Sequence, residues 1–395
     1  MSRWLEAIFE RLTGRLPIGW LQLAHNRVRL AAALAGVAFA DILILIQLSF
    51  LGALIESTRF PYRQMNADIL MSSSDMNTLT DSNPVPRQRM YEALAVPGVS
   101  AATPLYYGKI DWKQADGTIR TLDTFGVDPT QPTLRTPGVN AALDLLKLSD
   151  VALIDSRTRN VAKAVFAEID AGKPLVFEAR GRTITVAGTF VIGGGMTTDG
   201  YLVVSDQTFL KLFPQRAAGA PNHILLRLEP GADRDAVTAE LRERIPHFDT
   251  VARSLETAMA KDTAFQTTQK PVGVIFGFGV VIGIMVGCII VYQVLSTDVA
   301  DHIREYATFK AIGYPQSFFL GIVFEEAFIL AVFGFVPAVI ISTGLYAIIA
   351  AATGLPLNMT VARAIGVLLG TIAMCALSGA VATRRLARAN PADLF

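Results

Sequence analysis

Charged residues are scarce in this 395-residue chain, which contains 17% charged and 52% hydrophobic residues. Soluble domains carry about 25% charged residues. The deficit is local, because segments 271–297, 327–362 and 364–383 contain no charge and segment 30–55 contains only Asp41. A membrane-spanning helix needs roughly 20 apolar residues. The sequence therefore predicts an integral membrane protein.

Cysteine and histidine are also scarce, with two and four copies. Cys288 and Cys375 lie in apolar runs, so we expect no disulfide framework. The histidines show no metal-ligand spacing, and neither a nucleophile-elbow motif nor a P-loop motif is present. A net charge of +1 gives no reason to expect nucleic-acid binding. The sequence thus predicts no catalytic residue, cofactor site, metal site or internal ATPase.

Four transmembrane helices are predicted, at 28–55, 271–297, 317–350 and 363–385. The first is too long for a signal-peptide core, and no small-residue cleavage site follows it. The third exceeds the thickness of a bilayer core, so we expect it to tilt, project or kink at Pro337. Residues 1–17 have an apolar helical face and predict an amphipathic helix in the cytoplasmic interface.

Arginines concentrate before the first predicted span and after the last, which places both termini in the cytoplasm. Segment 298–316 is then a cytoplasmic loop, and 386–395 is a cytoplasmic tail. Segment 351–362 is a short outer loop, and 56–270 forms a large extracytoplasmic domain.

The predicted outer domain is α+β. Alternation of apolar and polar residues predicts strands at 183–192, 201–204 and 224–228, and helices are predicted at 86–95 and 233–244. The run Gly193–Gly195 predicts a flexible turn, since no Lys-Ser/Thr pair follows it. Segments 54–65 and 254–270 continue spans one and two, so we expect helical stalks at both ends of the domain. The predicted fold is four transmembrane α-helices with this domain inserted between the first two.

Several polar side chains fall inside the predicted spans, where they are costly unless they face protein or water. They are Asp41, Gln47, Gln293, Glu325 and Glu326. One interpretation is a proton or ion relay. The other, which we favour because the mid-span acid has no clear basic partner, is interhelical hydrogen bonding that fixes bundle packing or a dimer face.

The cytoplasmic loop predicts a short, well-capped helix. Asp298 suits the N-cap and Asp301 the first turn, while Gly313 and Pro315 form a C-cap pattern. Val299, Ile303, Tyr306 and Lys310 recur on one side at helical spacing. A capped amphipathic helix in a cytoplasmic loop indicates a docking element.

The segment R-E-Y-A-T-F-K-A-I-G-Y at 304–314 resembles the R-E-x-x-x-L-K/R-A-x-G motif of FtsX/MacB-type ABC transporter permeases. Phe309 stands where some members have leucine. Residues 19–23, 39–43 with Gln47, 66–68, 291–293 and 297–302 extend the resemblance to the DevC branch.

The resemblance implies a homodimer that binds two copies of a separate ATPase, which holds ATP and Mg²⁺. It also implies a bacterial inner-membrane location with the large domain in the periplasm. The loop helix would seat in the ATPase, and ATP-driven motions would pass to the periplasmic domain (mechanotransmission). The implied coupling residues are Asp301, Arg304, Glu305, Tyr306, Phe309, Lys310, Ile312, Gly313 and Tyr314.

DevC-like members work with a periplasmic membrane-fusion adaptor and, through it, a TolC-like outer-membrane duct. The resemblance therefore implies export of a glycolipid or another amphiphile. Two alternatives stay open. One is an FtsX-like regulatory or sensing protein without transport, and the other is an ion-coupled secondary transporter that uses Asp41, although four spans without inverted repeats are few for that class.

Overall fold

A computed structural model describes residues 18–388 except 115, 197 and 356, so the predicted helix at 1–17 lies outside the described residues. The helices are α1 (Ile18–His25), α2 (Arg27–Gln64), α3 (Gln88–Leu94), α4 (Pro137–Ala141), α5 (Leu143–Leu146), α6 (Lys163–Asp170), α7 (Asp206–Leu212), α8 (Arg234–Arg244), α9 (Leu255–Thr268), α10 (Pro271–Asp301), α11 (Ile303–Ile312), α12 (Gln316–Thr353) and α13 (Val361–Arg388). The strands are β1 (Ile69–Ser73), β2 (Val99–Lys113), β3 (Ile119–Val127), β4 (Val151–Asp155), β5 (Leu175–Ala179), β6 (Arg182–Phe190), β7 (Gly200–Ser205), β8 (His223–Leu228) and β9 (Thr250–Ser254).

The chain divides into two compact units. The inserted unit comprises Gly52–Val274 together with Ala350–Pro356, and the helical unit comprises the other segments. Within the described residues, four helices are long and apolar enough to cross a membrane, namely α2, α10, α12 and α13. The predicted fold class, with four spans and a mixed domain between the first two, is confirmed.

Glycines on α10 allow the helical unit to pack closely. A Cβ atom at Gly279 would overlap the side chain of Gln47, and one at Gly283 would lie 2.8 Å from Cγ1 of Ile44. One turn further, a Cβ atom at Gly287 would lie 3.1 Å from Cβ of Ala40. The three glycines therefore form one face on which α2 rests, since small residues let two membrane helices approach closely.

The inserted unit is built on a nine-stranded sheet with the order β5-β6-β4-β7-β3-β2-β8-β1-β9. The pairs β3–β7 and β4–β6 are parallel and the other neighbours are antiparallel. The predicted strands correspond to β6, β7 and β8, and the predicted helices to α3 and α8. Asp233 caps α8 by accepting from the amides of Asp235 and Ala236.

The two helical stalks differ from one another. Helix α2 continues without interruption to Gln64 and contains Pro61, so the first stalk is part of the span helix. Helix α9 ends at Thr268, and α10 begins at Pro271. Proline has no amide hydrogen to donate and is favoured in the first turn of a helix, which accounts for the new start. The second stalk is therefore a separate helix.

Candidate coupling site

Helix α11 is the short helix that the loop sequence predicts, and its C-terminus is closely defined. Gly313 has φ +105°, a left-handed conformation that favours glycine. The amide of Tyr314 donates to the carbonyl of Phe309 at 3.1 Å. This bond is the outer hydrogen bond of a Schellman motif. The chain therefore turns sharply between α11 and α12.

Helix α11 carries both packed and exposed side chains. Ile303 and Phe309 pack against the apolar core of the helical unit. The Phe309 ring centroid lies 5.6 Å from that of Tyr314 and 6.1 Å from that of Phe318 at the start of α12. Glu305 is exposed, and 70% of Ile312 is accessible. A fixed helix with an exposed apolar and acidic face has the form of a protein-docking element.

A charge network links the start of α2 with the end of α10, next to α11. Arg29 Nη1 lies 2.6 Å from Oδ2 of Asp301, and Nη2 lies 3.4 Å from Oδ1 of Asp298. The same guanidinium donates to the carbonyl of Val294 at 3.2 Å. Nδ1 of His302 lies 3.6 Å from the second carboxyl oxygen of Asp298. One arginine therefore holds the terminal turns of α10 against α2.

Asp298 was predicted to cap the loop helix, and that prediction is wrong. Helix α10 continues to Asp301, so Asp298 lies inside it with its side chain only 4% exposed. The physical reason is its pairing with Arg29, which makes a buried helical position more favourable than a solvent-facing cap.

The two glutamates of α12 join this region from another side. Glu326 is fully buried beside Asp298. A Cβ atom at Gly19 of α1 would lie 3.0 Å from Cγ of Glu326, so the absence of a side chain there lets α1 approach. The amide of Trp20 donates to Oε1 of Glu325 at 3.3 Å. Helices α1, α2, α10 and α12 thus meet around buried acids and one arginine.

The structure separates the predicted intramembrane polar residues. Asp41 is fully buried and accepts from the Thr371 hydroxyl of α13 at 2.6 Å. Gln47 packs on Gly279, whereas Gln293 is exposed. Neither Asp41 nor Gln47 belongs to the cluster around Glu326. The five residues therefore do not form one continuous relay.

The predicted coupling residues fall mostly on α11 or its ends. Backbone positions of Arg304, Tyr306 and Lys310 lie in the helix, and their side chains are outside what the structure describes. Sequence reasoning missed Arg29 as a site residue, because it was read only as an orientation signal. Its pairing with Asp298 and Asp301 is tertiary, and no local sequence pattern indicates it.

The inserted unit contains a second polar site, a cavity of about 80 Å³ beside both stalks. Asp123 of β3 and Asp262 of α9 line it, and burial raises the pKa of each to about 6. Oδ2 of Asp262 accepts from the Tyr62 hydroxyl at 2.9 Å and from the amide of Leu79 at 2.8 Å. In the described part of the chain, no group of three or more His, Cys, Asp or Glu residues could hold a metal ion.

Comparisons with known proteins give two family matches. The FtsX-like permease C-terminal domain matches residues 262–391, and the MacB-like periplasmic core domain matches residues 30–244. A comparison with curated proteins gives no match.

Solved structures that are similar to part of the chain include the following two. The periplasmic region of MacB from Actinobacillus actinomycetemcomitans has 14% identity and a TM-score of 0.34, covering 49% of this chain and 92% of that one. The extracellular domain of the ABC-type transporter YknZ from Gram-positive bacteria has 12% identity and a TM-score of 0.31, covering 45% and 91%.

Proposed function

Since this chain belongs to the FtsX/MacB-type family of ABC transporter permeases, we propose that it couples ATP hydrolysis by a separate ATPase to motions of its periplasmic domain. The observation that carries this proposal is α11, a capped helix between two membrane spans. It packs the half-buried Phe309 against the core of the helical unit and leaves Glu305 and Ile312 exposed. Two copies of the ATPase, with their bound ATP and Mg²⁺, dock on two copies of this chain.

The charge network around Arg29 gives the docked helix a rigid support. Movement of α11 is resisted by its aromatic contacts with α12 and by the ion pairs that fix the end of α10. A force applied at α11 therefore moves the ends of α10 and α12 together rather than bending the loop. Packed elements of this kind carry energetic coupling between distant sites.

The continuous helix α2 supports transmission to the periplasmic domain. It runs from Arg27, close to the charge network, to Gln64 in the inserted unit. In our proposal the chain lies in the inner membrane with both termini in the cytoplasm. The moving periplasmic domain then works on a membrane-fusion adaptor and a TolC-like duct to export a glycolipid or another amphiphile.

Asp41 gives little support to ion-coupled transport. Its carboxyl accepts from Thr371, and in the described part of the chain no basic side chain forms an ion pair with it. This hydrogen bond links α2 to α13. A regulatory protein of the same build would use the same coupling helix without moving a substrate.

Affinity purification from the native membrane tests the proposal. We expect a P-loop ATPase to accompany the unchanged chain in mild detergent and to be lost when residues 304–314 are scrambled. Equal membrane levels and equal thermal stability of the two proteins are the control. Absence of an ATPase even after crosslinking would refute the proposal. A copurifying periplasmic hydrolase or sensor, instead of an adaptor, would favour regulation.

A further inference from the structure

Arg159 joins three segments of the inserted unit. It lies between β4 and α6, and its side chain is 12% exposed. Nη2 donates to the carbonyl of Thr198 at 2.8 Å and lies 3.3 Å from Oδ1 of Asp199. Nη1 donates to the carbonyl of Thr353 at the end of α12, at 3.2 Å. One guanidinium thus ties residues 198–199 to the connection between α12 and α13.

Gly354 makes room for this side chain. It has φ +69°, where other residues are strained. A Cβ atom there would lie 2.7 Å from Cδ, 2.8 Å from Cγ and 3.3 Å from Cβ of Arg159. The stem of Arg159 therefore lies directly on the backbone of the connection. Hydrogen bonds and apolar packing both hold the two segments together.

The segment 191–199, which we call the glycine loop, is anchored at three further points. Asp155 accepts from the amides of Ile192 and Gly193, at 2.9 and 2.5 Å. At the other end, the amide of Asp199 donates to the carbonyl of Thr121 in β3 at 2.8 Å.

The third anchor is on the first stalk, where the Ser57 hydroxyl of α2 accepts from the amide of Met196 at 2.9 Å. The glycine loop therefore contacts the sheet, the first stalk and, through Arg159, the outer end of α12.

We propose that Arg159 is a positioning residue that carries movement of α12 into the periplasmic domain. This path acts in addition to the one through the stalk of α2. The proposal rests on the proposed function. Helix α12 begins one turn after the coupling helix and ends at Thr353, where Arg159 binds. Displacement of that end pulls on Arg159 and, through Thr198, on the glycine loop.

The test uses the full complex, with its copurified ATPase, in nanodiscs. Hydrogen exchange of residues 191–199 is compared between the nucleotide-free state and the state trapped with ATP and vanadate. In Arg159→Ala we expect ATP turnover to persist, while the nucleotide-dependent change in the loop falls about tenfold. Arg157→Ala is the matched control, because Arg157 is an exposed arginine in the same loop.

A disulfide provides a rescue that replaces the guanidinium by a covalent link. The 3.3 Å between Cβ of Arg159 and a Cβ at position 354 is close to the roughly 3.5–4.5 Å of disulfides. The pair Arg159→Cys with Gly354→Cys, in a background lacking Cys288 and Cys375, should restore the loop response when oxidised and lose it when reduced. Both forms carry the same strain from cysteine at φ +69°, so only the covalent link differs between them. A merely structural role for Arg159 would not make the response depend on this link.

The outcomes separate the two proposals. If no ATPase accompanies the unchanged chain, the proposed function fails. If the unchanged complex responds to nucleotide and Arg159→Ala keeps the full response, only the role of Arg159 is overturned.

Discussion

Replacing Arg29 by methionine should destabilise the helical unit far more than replacing Asp301 by alanine. Arg29 is the cation beside Asp298, whose side chain is 4% exposed, and it also lies near the fully buried Glu326. Removing one partner of a buried ion pair leaves an uncompensated charge, which costs about 3–5 kcal/mol. Because Arg29 is itself 25% exposed, we expect Arg29→Met to lower the free energy of unfolding by an amount at the lower end of this range, about 3 kcal/mol.

The pair with Asp301 is shorter, at 2.6 Å against 3.4 Å, but Asp301 is 59% exposed. Exposed ion pairs contribute about 0–1 kcal/mol, so Asp301→Ala should lie within that range. Burial, and not distance, decides the order of the two effects. A second change, Asp298→Asn, removes the stranded charge and should recover part of the loss in Arg29→Met.

The assay is equilibrium unfolding of the full chain in mixed micelles. Trp20 reports on the region, since its ring centroid lies 6.0 Å from that of Phe333 and its amide contacts Glu325. Hydrogen exchange in the sheet of the inserted unit is the control, because that unit should be unaffected. Equal losses in Arg29→Met and Asp301→Ala, or no rescue by Asp298→Asn, would refute the burial argument.

Three further predictions concern separate sites. Gly313→Pro and Glu305→Ala should each reduce the amount of copurified ATPase at least about tenfold, with normal levels of the variant in the membrane. Proline cannot adopt the φ of +105° found at Gly313, and Glu305 is an exposed charge of the docking helix. Full copurification of the ATPase with both variants would contradict the docking helix. The pKa of Asp262 is raised from 3.8 to about 6, so the native state holds this proton more tightly than the unfolded state. Asp262 should therefore contribute at most about 3 kcal/mol to a fall in the stability of the inserted unit, read by hydrogen exchange, as pH rises from 4 to 6. Asp123 contributes in the same direction, and His223, whose pKa burial lowers to about 4, contributes in the opposite direction, so the readout is the difference between the parent and Asp262→Asn. Equal pH profiles of the two proteins would refute the role of Asp262. Asp41→Asn should still export substrate, because an amide oxygen can accept from Thr371 as the carboxylate does. Export by the parent and by this variant should be insensitive to protonophores at constant ATP. A protonophore-sensitive parent together with an inactive Asp41→Asn variant would favour ion coupling.

The large elements of the fold could be predicted because their signals are local. Uncharged runs indicate spans, alternation indicates β6, β7 and β8, and the glycine with proline indicates the end of α11. The strand order could not be predicted, since neighbours such as β1 and β8 are far apart in sequence and no local pattern encodes their pairing.

The candidate site could be predicted only in part. Asp298 looked like a cap because aspartate favours that position, but a tertiary pairing with Arg29 changed its role. Asp41 and Glu326 looked alike as acids in apolar runs. Asp41 faces α13, whereas Glu326 faces α1. The direction in which each acid points depends on the rotation of its helix, which the composition of an apolar run does not specify. Likewise, nothing in sequence brings Arg159 to Gly354.

The most direct test of the account is a distance measured between two copies of the chain in the assembled complex. Lys173 lies exposed in the periplasmic domain, so Lys173→Cys, in a background without Cys288 and Cys375, can carry a spin label. Pulsed electron paramagnetic resonance in nanodiscs should give different distances between the two spin labels in the nucleotide-free and the ATP-vanadate states. The difference should vanish when residues 304–314 are scrambled. A bound, active ATPase with identical distances in both states would contradict the claim that ATP hydrolysis moves the periplasmic domain.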